Sequence, residues 1–108
     1  MNLYSNDKLI ISDIHIADSF MERLRGYMFH EKPHYNGIVL SPCNSIHTFF
    51  MKFDIDVLFL DENMLVVKKI ASLEKNKTIK PIKNVVYTIE APQGGFEMIQ
   101  VGDSIKIC

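Results

Sequence analysis

Neither sign of charge dominates this sequence. Its 12 basic and 13 acidic residues leave a formal net charge of −1. A duplex-binding domain needs a basic face to neutralise phosphates, so nucleic acid is not expected as a partner. The one basic run, Lys75 to Lys83, has no interleaved aromatic residues and reads as a solvated loop. Cysteine is equally scarce. Cys43 and Cys108 form neither a disulfide framework nor a Cys-x-x-Cys pair, which points to a reducing, cytoplasmic setting. No apolar run approaches the roughly 20 residues of a membrane helix, and no basic segment followed by an apolar one suggests a secretory signal. A soluble protein without membrane contact is expected. There is no repeat, low-complexity tract or linker. Gly94-Gly95 lacks a following Lys-Ser/Thr, which excludes a phosphate loop, and the six methionines form no Met-x-x-Met cluster that would suggest copper.

What is present suits one compact domain spanning residues 1–108. A chain of this length buries roughly 65% of its unfolded surface, enough for a core without metal or disulfide support. The 47% hydrophobic content agrees. The segment Leu9 to Ile16 reads as a strand, its latter half alternating Ile14 and Ile16 against Asp13 and His15. A short helix follows. Ser19 and Glu22 make a capping-box pair, Phe20, Leu24 and Met28 recur at helical spacing to form an apolar face, and Gly26 ends or unwinds it. Gly37 to Leu40 is a short strand stopped by Ser41 and Pro42. Asp56 to Leu60, the polar turn Asp61-Glu62-Asn63 and Met64 to Ile70 form the clearest hairpin. Asn84 to Ile89 is β-rich, Ala91 to Gly95 is a turn region, Phe96 to Gln100 can form one helical turn, and Ser104 to Ile107 closes the chain. Six or seven short strands with one early helix predict a mainly β domain, a β-sandwich or small barrel.

The densest signal is Ser41 to Asp61, reading SPCNSIHTFFMKFDIDVLFLD. With Arg23, Gly26 and Met28, with Glu90, Ala91, Pro92 and Gly94, and with Gly102-Asp103, it resembles the uncharacterised family known as domain of unknown function 192. Tyr27 stands where that family usually has leucine, and Asp54 where proline often precedes the Ile-Asp pair. The resemblance implies a mostly β, sandwich-like domain and carries no activity, cofactor or partner with it.

Several readings of the central motif compete. In the first, Cys43 is an attacking thiolate, His47 its base and Asp56 the orienting carboxylate, as in a cysteine-dependent enzyme. An extended strand would place residues 43 and 47 roughly 13 Å apart, so this reading needs a bend. A metal reading fails on ligand count: Cys43 and His47 supply two donors, whereas a structural zinc needs about four. In the third, the segment is a satisfied polar corner, with Asn44, Ser45 and Thr48 bonded to turning backbone and His47 to a carbonyl or to Asp56. In the fourth, Phe50 and Met51 line a groove with His47 and Arg23 as polar handles for an unknown small ligand or protein. Phe49 and Phe50, if in a strand, would point to opposite faces. Arg23 also has a plainer reading as a surface ion-pair partner, and Asp56 and Asp61 as strand-start and turn residues. The expectation is a non-catalytic domain that binds a ligand or protein, without cofactor or metal. A Cys43–His47 enzyme and a structural accessory component of a larger assembly are the alternatives.

Overall fold

A computed structural model describes all residues, 1–108. The chain forms ten strands and one short helix: β1 (Leu3–Ser5), β2 (Lys8–Ile11), β3 (His15–Ala17), α1 (Phe20–Arg25), β4 (Ile38–Leu40), β5 (Ile46–His47), β6 (Ile55–Leu60), β7 (Val66–Leu73), β8 (Thr78–Ile79), β9 (Tyr87–Pro92) and β10 (Ile105–Ile107). They build a five-stranded sheet in the order β3-β4-β9-β6-β7, a three-stranded sheet β10-β1-β2, and the pair β5-β8. The mainly β expectation holds. The strand count is higher than six or seven, and the three sheets form no closed barrel. One reason is a split. The run Leu9 to Ile16 breaks into β2 and β3 because Asp13 adopts a left-handed φ of 52°, turning the chain between two sheets. Another is β1, a three-residue strand too short for its alternation to stand out.

The five-stranded sheet is covered on both faces. All six residues of β6, IDVLFL, are buried. Alternation sends Leu58 and Leu60 into one core with Leu3, Ile11 and Ile105 of the three-stranded sheet, and Ile55, Val57 and Phe59 into a second with Leu40, Ile46 and Met51. Neighbouring β9 follows the same rule: Ile89 and Ala91 face the first core, and Thr88 and Glu90 lie on the opposite side. A strand buried on both faces reads as an unbroken apolar run, as β6 does. The hairpin falls where expected. Asp61 Oδ1 accepts the amides of Asn63 (2.9 Å) and Leu65 (3.0 Å), tying the turn.

The helix differs from expectation. Ser19 Oγ accepts the Glu22 amide at 3.1 Å, but Glu22 does not complete the capping box; its carboxylate meets His15 Nε2 at 2.8 Å. No residue of α1 is buried, with Phe20 at 68% and Leu24 at 48% exposure. Gly26, with φ 48°, stops the helix after six residues, so Met28 lies beyond it and enters the interior separately. The apolar spacing is therefore not a continuous buried stripe.

Candidate functional site

A cleft of about 370 Å³ opens between the C-terminal end of α1, the β5-β8 pair and the second core. Arg23, Arg25 and Gly26 come from the helix end, Ser45 to His47 and Met51 from the central motif, Thr78 to Pro81 from β8 and the chain after it, and Leu40 and Glu90 from the large sheet. The segment 41–51 bends rather than extends. A cis Ser41–Pro42 bond, a two-residue β5 and a left-handed Phe50 (φ 65°) carry it around the cleft.

Glu90 is the most unusual residue here. It sits in the middle strand of the five, paired with Ile38 of β4 and Val57 of β6, and is only 2% exposed. Its Oε1 has no hydrogen-bond partner. Burial pushes its carboxyl up to about 8, so the neutral acid is the main form at pH 7. A Cβ at position 26 would fall 2.5 Å from that oxygen, and only glycine fits both this approach and the backbone there. The early Arg-x-x-Gly segment and the late Glu-Ala-Pro segment, 64 residues apart between Gly26 and Glu90, thus meet at one carboxyl. Tyr27 lies fully buried beside it and donates its hydroxyl to the Tyr35 carbonyl at 3.0 Å. Burial first, and the Glu90 charge second, drive the Tyr27 phenol far above its ordinary range.

His47 is the second polar group of the cleft. Its Nδ1 is buried and unpartnered, and its ring stacks against Phe49 at 5.5 Å. The cations of the wall are also free. The ion pairs of the molecule are His15–Glu22 and Lys52–Glu31, which leave Arg23, Arg25 and Lys80 without carboxylate partners. Arg23 makes one long contact, 3.5 Å to the Asp18 carbonyl, in place of the surface ion pair its sequence context suggests.

Among the residues singled out from sequence, Arg23, His47 and Met51 come together in this cleft. Phe50 does not. Phe49 and Phe50 follow the end of β5 instead of continuing a strand; they are 43% and 61% exposed, and Phe50 stacks on Phe29 at 5.3 Å. Cys43 and Asp56 take partners other than His47, whose Nδ1 has none. The Cys43 thiol donates to the Ser45 carbonyl at 3.1 Å, and Asp56 accepts the amides of Ser72 (2.9 Å) and Gly94 (3.1 Å) from within β6. The polar-corner reading fits Thr48, whose hydroxyl donates to the Glu74 carbonyl and accepts the Lys77 amide, each at 2.7 Å. It does not fit His47. Glu90 was named in sequence as part of a turn motif, not as a site residue. In Tyr-Thr-Ile-Glu-Ala it alternates with Thr88 on the polar side of the strand, the pattern of a solvent face, so no local signal marked it.

The fold and this cleft define a mainly β domain with a pocket for a small molecule's worth of volume, built from segments distant in sequence. The chain belongs to the DUF192 family, described as "Uncharacterized ACR", whose model matches residues 2–107. It is similar to a UPF0127 protein of Pyrococcus horikoshii, 41% identical over 87% of this chain and 86% of that one. A UPF0127 protein of Pyrococcus furiosus is 34% identical over 92% and 90% respectively. Among solved structures, a protein of unknown function from Novosphingobium aromaticivorans superposes with a TM-score of 0.83 at 13% identity, covering 99% of this chain and 84% of its own. At such identity the likeness concerns the fold alone. No helix is long and apolar enough to cross a membrane.

Proposed function

We propose that this domain is a non-catalytic binding module that takes a small ligand into the cleft beneath the end of α1. The observation that carries the reading is that Glu90 and His47, each with a buried, unpartnered polar atom, both line one cavity. Leaving such an atom unsatisfied costs about 1–3 kcal/mol, a cost that a bound ligand offsets by supplying the missing partner. Apolar walls with a few convergent polar groups are the usual make-up of a ligand pocket. The two free cysteines fit a cytoplasmic setting. Amide NMR shifts recorded on the labelled protein against a small-fragment library test the reading. Hits should perturb Gly26, His47, Ile79 and Glu90 together, and Ile79→Trp, which fills the cleft, should abolish the effect. Shifts centred elsewhere, or insensitive to that substitution, would remove the cleft from consideration.

A further inference from the structure

The charge and shape of the cleft narrow the ligand further. Its wall carries three cations, Arg23, Arg25 and Lys80, against one carboxyl, Glu90. None of the three cations has a carboxylate partner in the protein. The potential inside therefore favours an anion, whichever form Glu90 takes. The wall also carries the apolar side chains Leu40, Ile46, Met51 and Ile79, beside the hydroxyls of Ser45 and Thr78. A volume of about 370 Å³ is at the small end of the roughly 300–1,000 Å³ found for ligand pockets, so the apolar body must be compact.

Which anion fits follows from the helix. Arg23 to Gly26 are the C-terminal end of α1, where peptide carbonyls are the exposed groups. Carbonyls and a carboxyl suit a phosphate dianion poorly, because it needs many converging donors. A carboxylate asks for less. A neutral carboxylic acid donates a short O–H···O⁻ bond to a carboxylate, and a histidine N–H and a guanidinium can complete its shell.

We infer that the cleft selects a compact monocarboxylate, with its anionic group held among Glu90, His47 and Arg23 and its apolar body along Leu40, Ile46 and Met51. This rests on the cleft being the ligand site. It carries a pH signature, because the donated proton belongs to Glu90. Gly26 and Tyr27, after α1, lie against Glu90, and Arg23 and Arg25 on α1, His47 on β5 and Lys80 after β8 line the same cleft. Tyr27 is held protonated beyond the range concerned.

The test is an NMR titration of the intact protein with linear, branched and aromatic monocarboxylates, their matched primary amides, and inorganic phosphate, from pH 6.5 to 9.5. A carboxylate of the panel should bind about tenfold or more tighter than its amide and than phosphate. Its affinity should fall by up to tenfold per pH unit above about 8. Glu90→Gln should abolish that alkaline fall, and Arg23→Gln should weaken binding at every pH. Amides bound in the cleft as tightly as carboxylates would overturn the monocarboxylate and leave the ligand site standing. Phosphate preferred over every carboxylate would do the same. A cleft silent to the whole panel and to the fragment library would overturn both.

Discussion

Asp56 and Glu90 are both 2% exposed, stand on adjacent strands of the same sheet, and have opposite fates. Asp56 shares the register of Leu58 and Leu60, and both its oxygens accept backbone amides, from Ser72 and Gly94. It is a staple that fixes the loop after β9 to the end of β7. Glu90 shares the register of the second core, faces a glycine and a cleft, and has an oxygen that no protein group satisfies. Burial alone therefore says little about a carboxylate's role. The pairing of its oxygens separates a structural group from one available to a ligand.

Removing the staple should cost most. Asp56→Ala deletes two hydrogen bonds to a buried carboxylate and strands two amides, for a loss of about 3–5 kcal/mol. Urea unfolding at neutral pH measures it; a loss below about 1 kcal/mol would erase the contrast with Glu90.

The contact over Glu90 comes next. Gly26→Ala should destabilise by about 2 kcal/mol, from the left-handed backbone and from the clash with the carboxyl. The Glu90→Ala background should relieve only the second part, and a double-mutant cycle isolates that coupling. Strict additivity would mean that the two residues do not press on each other.

The last effect is a slope rather than a single loss. The folded-state value of Glu90, about 8, lies above its ordinary value of 4.5, so the folded protein binds the proton more tightly than the unfolded chain. Its contribution is fully present below about pH 4.5 and declines as pH rises toward 8, by up to about 1.4 kcal/mol per pH unit. Glu90→Gln should flatten this part of the stability profile. Denaturation midpoints of both proteins at pH 5 and pH 8 provide the comparison, and parallel profiles would show that Glu90 does not titrate in this window.

Local patterns carried much of the fold. The Asp61-Glu62-Asn63 turn, the glycine at the helix end and the apolar run of β6 each act through neighbours in sequence, so each was legible there. The partition of β2 from β3 was less so, since it depends on one left-handed aspartate. At the site, Arg23, His47 and Met51 were legible as polar and apolar side chains near turns, although nothing local separated them from Phe50, which faces outward.

The sequence by itself determined the class of fold and the hairpin at Asp61-Glu62-Asn63, because turn chemistry and alternation are short-range. Only the tertiary structure decided which carboxylate is unpaired. Register along β6 and β9 sends Asp56 to one face and Glu90 to the other. Sheet pairing then brings Glu90 under Gly26 from a distant part of the chain. Whether a buried oxygen finds a donor depends on those long-range neighbours, which no local pattern encodes.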